Sequence, residues 1–250
     1  MSLYYETDPA DEQTKPQLPP LLTGLEVEDG IAPLAKAIGM AAKGEVGVVC
    51  YSPDQDNLNM AITLAPETTA AKAVQMHYGM MIALGDAIGA LSPPEVSVSY
   101  RFPGSVLLNR GYAGECGVEM GQIGDDGVPD WMILSARLAL RGALTEGESG
   151  MIPEETTLTE EGGSFVSRTR LLESTCRHFL LWLNSWEDEG FRPLHDAWKV
   201  RIDSTRATRR QHLEWMGLDG DGLALVKADG AAASLSLLDR ETWQTEDGDA

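Results

Sequence analysis

The chain has 250 residues, with 39 acidic against 19 basic side chains, a formal charge of −20, 43% hydrophobic and 23% charged residues. That is enough apolar chain to bury a core without staples. The charge repels a phosphate backbone over most of the surface, which excludes a general nucleic-acid binder but leaves room for a nucleotide in a local basic pocket. Three scattered cysteines, with no CxxC or HxxxH spacing anywhere, exclude a disulfide framework, and no tightly bound metal is expected. The start of the chain is polar and Pro-rich, unlike a secretory signal, and no run approaches the roughly 18 apolar residues of a membrane span. A cytoplasmic protein without membrane association is the expectation.

In chain order, residues 1–20 read as a flexible arm. Asp29 is positioned to cap a helix through Leu34 and Ile38, and Gly44 to stop it. Val46–Val49 and the alternating Asn57–Leu64 read as strands. Pro66 opens a long helix, about Thr68 to Leu91, with one stripe of Val74, Met81, Leu84, Ile88 and Leu91, closed by Ser92-Pro93-Pro94. Strand-like pieces follow at Val96–Phe102, Ser105–Asn109, Glu115–Met120 and Trp131–Leu140. A second long helix spans about Thr169 to Glu187, and Leu194–Ile202 reads as helical. Short strands return at His212–Met216, Leu223–Val226 and Ala233–Leu237, and the acidic residues 241–250 read as a disordered tail. The order predicts an α+β fold, a mostly antiparallel sheet flanked by long helices, followed from about residue 206 by a small barrel-like β domain ending near 240.

Three stretches carry a resemblance. Ser52-Pro53-Asp54-Gln55-Asp56-Asn57-Leu58-Asn59 resembles the SP-x-G-x-NL strand of the biotin–protein ligase and lipoate–protein ligase superfamily. Arg101-Phe102-Pro103-Gly104-Ser105, the strand Val106–Leu108, and Asn109-Arg110-Gly111-Tyr112-Ala113-Gly114 resemble its KWPND–strand–RK-x-x-G hairpin. Met216–Val226 with Asp229-Gly230 resembles the opening of the SH3-like C-terminal domain of biotin–protein ligases. The resemblance covers most of residues 21–238 and implies a catalytic-type domain at 21–205 and an SH3-like domain at 206–240. It further implies ATP and biotin or lipoate as ligands, a small carboxylic acid activated as its adenylate, and transfer to a lysine of a biotinyl or lipoyl carrier domain. The oligomeric state is left open.

The departures lie where that chemistry needs positive charge. The family's Gly/Arg loop, which closes over the adenylate, is missing before Ser52, the hairpin lysine falls on Gly111 beside Arg110, and the WPND tetrad reads Phe102-Pro103-Gly104-Ser105. Arg101 keeps a cation at the leading lysine position. Losing one donor to a developing oxyanion costs about 2.7–4 kcal/mol of transition-state stabilisation, so ligation by the family's usual route is expected to be weak or altered.

The candidate site lies between the Asn57–Leu64 strand and the Arg101–Gly114 hairpin. Arg101 and Arg110, expected to face each other across that hairpin, are the candidate catalytic cations; Asn57, Asn59, Ser105, Gly114 and Cys116 are the candidate substrate-binding residues. Against these stand plainer readings: surface arginines, a bulge glycine at Gly114, Asn57 capping the Asp54–Asp56 loop, and Cys116 as a small buried residue. Cys116 would serve as a nucleophile only with a cation or helix N-terminus beside it. His77, His178, His195 and His212 show no ligand spacing, and Trp182, Trp186, Phe191 and Trp198 read as core or domain seam. Lys199–Arg210 holds five bases against Asp203 alone, read as an interdomain linker with solvated bases or as a docking surface for an acidic carrier. Two alternatives to a weakened ligase therefore stand: a catalytically silent module that binds a carrier domain or other partner, and an ATP-independent acyltransferase using Cys116.

Overall fold

The computed structural model describes residues 15–141, 155–203, 208, 213–228 and 230–239. Strands β1 (Thr23–Glu26), β2 (Val48–Tyr51), β3 (Asn57–Leu64), β4 (Val98–Arg101), β5 (Ser105–Leu108), β6 (Gly111–Met120) and β7 (Met132–Ala139) form one seven-stranded sheet in the order β1-β2-β3-β7-β6-β5-β4. Only β1 and β2 pair in parallel. The parallel pair follows from helix α1 (Pro33–Ala41), which carries the chain back between them. The α+β expectation with a mostly antiparallel sheet therefore holds, and the sheet is mixed.

Side chains alternate across the strands. Leu58, Met60 and Ile62 of β3 and Leu134, Ala136 and Leu138 of β7 point into the main core. Over them lie α2 (Ala70–Ala73), α3 (Met76–Leu91) and α4 (Arg168–Glu189). The long helix expected over 68–91 is broken: the chain passes from α2 to α3 through i→i−3 bonds from Gln75 N to Lys72 O and from Tyr78 N to Gln75 O. Gln75 at this joint reaches out to bond the Asp221 carbonyl and the Trp186 indole. The expected single stripe is also replaced by burial all round, every residue from Met76 to Gly85 being buried, because α3 is sandwiched between sheet and α4. The amphipathic α4 buries Leu171, Leu172, Cys176 and Phe179. On the other face of the sheet α1 covers only Val48, Cys50, Ala61 and Ile133 with a small second core.

Several expectations are corrected at the ends of elements. Asp29 does not cap α1; the N-cap is Ala32 with Pro33 at the first turn, while Gly44, two residues past the C-cap, takes a φ of 78° as a helix stop does. Strand β1 carried no alternation to announce it. Of the expected N-terminal arm, residues 1–14 lie outside the described residues, and residues 15–20 are not free: the Gln17 N–H bonds Glu173 Oε1 at 2.6 Å and Leu18 packs on the main core.

After α5 (Arg192–Lys199), the stretch expected as a solvated linker instead runs along the outer edge of β4. Tyr100 N bonds Arg201 O and Asp203 N bonds Tyr100 O, each at 2.8 Å. Arg201 reaches Asp86 at 2.6 Å. Arg206, Arg209 and Arg210 lie outside the described residues, as do His212 and the acidic tail at 241–250. Strands β8 (Leu213–Leu218), β9 (Ala224–Ala228) and β10 (Ala231–Leu235) form a three-stranded antiparallel sheet in the order β10-β9-β8. It packs on the helix side through aromatics: Trp215 lies 5.6 Å from Phe102 and 5.9 Å from Trp198, ring centre to ring centre. The Tyr78 hydroxyl donates to the Gly222 carbonyl at 2.8 Å. No helix among the described residues is long and apolar enough to cross a membrane.

Candidate functional site

On the sheet face that carries α1, beyond the residues this helix covers, the strand registers align one polar row whose Ser105 is buried. Asn59 of β3 pairs with Arg137 of β7, Arg137 with Glu115 of β6, Glu115 with Ser105 of β5, and Ser105 with Arg101 of β4. Directly opposed residues share a face, so these five side chains cross the sheet as one band. Opposite charges alternate along it. Arg137 Nη1 lies 3.5 Å from Glu115 Oε1, with both side chains more than a third exposed. Arg101 Nε lies 2.9 Å from Asp203 Oδ2, the latter side chain only 4% exposed. The Tyr112 hydroxyl donates to Glu115 at 3.4 Å. Asp203, counted in sequence as the lone acid of a basic linker, is therefore the partner of a candidate site cation.

The structure brings Asn59, Ser105 and Arg101 into this row, with Asn57 on the same face one step along β3. Asn57 Nδ2 donates to Asp54 Oδ2 at 3.0 Å, the loop-capping role that stood as the plainer reading, while its Oδ1 is buried without a partner. Arg110 does not join. It sits exposed in the β5–β6 turn with a φ of 78°, at the end of β5 away from the Ser105–Arg101 pair. Arg101 and Arg110 thus do not face each other: the register opposes Arg101 to Ser105, because β4 and β5 are joined at the Arg101 end while Arg110 turns the chain at the other.

Gly114 and Gly104 are explained by close backbone approach. A Cβ on Gly114 would run into the Arg137 carbonyl of β7, and one on Gly104 into the Cys116 carbonyl. Gly104, at the tetrad position where the family carries asparagine, thus has no room for a side chain. Cys116 alternates to the opposite face from Glu115 and lies in the main core. Burial pushes its thiol well above the ordinary range, with the Glu115 charge adding to the rise. That environment disfavours the thiolate a nucleophile requires, which removes the support for the cysteine-based acyltransferase. His77, also buried, has its Nε2–H donating to the Pro103 carbonyl at 2.8 Å, and burial lowers its pKa to about 4, so it is neutral near pH 7.

Arg137 and Glu115 were missed as site residues. A signal existed for Arg137: in Met132–Ala139 (MILSARLA), Ser135 and Arg137 are the polar positions of an alternating strand, marking the face away from the core.

The matched family model is the biotin/lipoate A/B protein ligase family, over residues 18–200. A biotin protein ligase-like protein of unknown function from Silicibacter sp. TM1040 superposes with a TM-score of 0.77 at 31% identity, over 89% of this chain and 97% of that one. A biotin–[acetyl-CoA-carboxylase] ligase of Paracoccus denitrificans is 25% identical over 180 residues, 68% of this chain and 74% of the relative. The biotin protein ligase of Aquifex aeolicus, solved with biotin and ATP, shares the fold at a TM-score of 0.62 and 14% identity, over 86% of this chain and 94% of that one. Sequence and fold together place this chain in the biotin/lipoate A/B protein ligase family.

Proposed function

We propose that the protein binds a small carboxylic acid or its acyl-adenylate on the sheet face that carries α1, along the band from Asn59 to Arg101, and that its ligation of that acid to a carrier-domain lysine is weak or altered. The observation that carries this reading is the register-aligned row itself. Arg137 lies second in it, between Asn59 and Glu115, where a bidentate guanidinium suits a carboxylate or phosphate. Asn59 supplies a neutral hydrogen-bonding group beside it, and the buried Ser105 another beyond Glu115. The ligands proposed are biotin or lipoate, with ATP as the activating nucleotide; the proposed acceptor is a biotinyl or lipoyl carrier domain. The three-stranded sheet is read as a reduced SH3-like domain from about residue 206 to 240, appended to a ligase-type domain at 21–205.

Both cations of the row already face acids, Arg137 against Glu115 and Arg101 against Asp203, so the band has little surplus charge for a developing adenylate. This charge balance favours, as a second reading, a module that binds the acid or a carrier domain without activating it. Calorimetric titration with biotin, lipoate and octanoate, each with and without ATP, tests the first reading. Saturable binding of at least one acid, weakened about tenfold in Arg137→Ala, is the expected result; binding of none would refute it. Pyrophosphate exchange then separates the two: slow exchange supports the altered ligase, and none supports the silent module.

A further inference from the structure

At the N-terminal end of α4, Ser167-Arg168-Thr169 places a cation and a hydroxyl in the interior without full partners. Ser167 caps the helix, its Oγ accepting from the Arg170 N–H at 3.2 Å. Arg168 sends its side chain inward beneath the ends of β1 and β2. Its guanidinium carbon lies 5.2 Å from the centre of the Tyr51 ring. The nearest polar contacts are long: Nε to Gln55 Oε1 at 3.4 Å and Nη2 to Glu26 Oε2 at 3.9 Å. The Arg168 side chain is 2% exposed and Glu26 52% exposed, so Glu26 is its solvent-side neighbour. Nη1 of Arg168 and Oγ1 of Thr169 are both buried with no hydrogen-bond partner.

A buried guanidinium is stable only when its donors are satisfied, and each orphaned donor carries a penalty of its own. Here the counter-charge sits at the outer limit of an ion pair and one nitrogen has nothing. The 22-residue α4 adds the positive end of its dipole. Two sources of positive potential and an unpartnered hydroxyl thus come from adjoining residues at the start of α4, and the carboxylate facing Arg168 is half in solvent.

We propose that Arg168, Thr169 and the first turn of α4 form an anion site for a compact oxyanion group, a carboxylate or a phosphate, with Glu26 as the internal carboxylate that the ligand displaces. The site stands apart from the polar row. Tyr51, against which Arg168 lies, belongs to the helix-side core, and the row is on the other face.

The experiment is calorimetry on the full chain with inorganic phosphate, pyrophosphate and octanoate in separate titrations, the arms distinguishing a phosphate from a carboxylate ligand. At least one should saturate. Glu26→Gln removes the competing carboxylate and should tighten that anion about tenfold, Arg168→Gln should weaken it by about the same factor, and Thr169→Val by about threefold. Circular dichroism checks the fold of each variant; if Arg168→Gln fails to fold, the near-isosteric Thr169→Val and the surface change Glu26→Gln still decide the matter. No saturable anion in either the wild type or Glu26→Gln would mean that an internal water satisfies Nη1, and would overturn the proposal. Anion binding lost in Arg137→Ala yet unchanged in Glu26→Gln and Thr169→Val would also overturn it, by putting the anion on the sheet row.

Discussion

The two faces of the seven-stranded sheet solve opposite problems with the same strands. On the helix side, Leu58, Met60 and Ile62 alternate with the polar positions of β3 and close against α3 and α4. On the other side α1 shields only one end, and the remaining positions hold Asn59, Arg137, Glu115, Ser105 and Arg101. If the second face recognises a ligand as proposed, substitutions on the two faces should separate in what they change. Trp198→Ala gives the largest expected loss. The indole is fully buried, stacks on Tyr100 at 6.2 Å, and has its Nε1 against Met81 Sδ at 3.3 Å. Truncation should remove about 3–5 kcal/mol in denaturant unfolding. A loss below about 1 kcal/mol would break the division of labour.

The helix side holds a buried histidine, and it sharpens the comparison through pH. His77 has an ordinary pKa of 6.5 in the unfolded chain and about 4 in the folded one. Below pH 6.5 the unfolded chain takes up a proton that the folded chain refuses. The stability tied to neutral His77 is therefore full above pH 6.5 and is lost as the pH falls towards 4, by about 3 kcal/mol in all. Comparing urea midpoints of wild type and His77→Gln across that window isolates the effect from the carboxylates. Parallel curves would show that His77 is not kept neutral by burial.

The edge where the two faces meet should respond next. Asp203 holds Arg101 from a segment tied to β4 by two backbone bonds. Asp203→Asn keeps an acceptor but leaves the guanidinium without its counter-charge, and about 1–3 kcal/mol should be lost. The same variant should strengthen carboxylate binding, because Arg101 is then the uncompensated cation of the row. Lower affinity together with lower stability would mean that Asp203 serves only the fold.

What the sequence disclosed follows the same division. The helix-side pattern was legible in β3 and α4, because burial writes a period of two into the one and a stripe into the other, but not in α3, whose burial all round leaves no stripe to read. Strand β1 (TGLE) was not, since a short, exposed edge strand carries no such pattern. The polar row was only half legible. Asn59, Ser105 and Arg101 came from motif resemblance, and parity within MILSARLA could have flagged Arg137, but the row exists only once the order β3-β7-β6-β5-β4 is known. Arg101 and Asp203 are separated by 102 residues, and nothing local in either segment announces their pairing. Motif matching also led to Arg110, which the register leaves out of the row because it turns the chain at the far end of β5.

The smallest expected effect on stability belongs to the Arg137–Glu115 pair, and it tests the recognition face most directly. With side chains 42% and 38% exposed and 3.5 Å apart, the pair is solvated enough that either truncation should change stability by less than about 1 kcal/mol. Its influence on a bound acid should be larger and of opposite sign for the two partners. Arg137→Ala removes the fork that would grip a carboxylate, so affinity should fall about tenfold, and Arg137→Lys should recover only part of it because a point charge lacks the bidentate geometry. Glu115→Gln removes the internal competitor, so affinity should rise. Equal losses in both variants would mean that the ion pair shapes the sheet without receiving the ligand, and the recognition face would have to be sought elsewhere on the molecule.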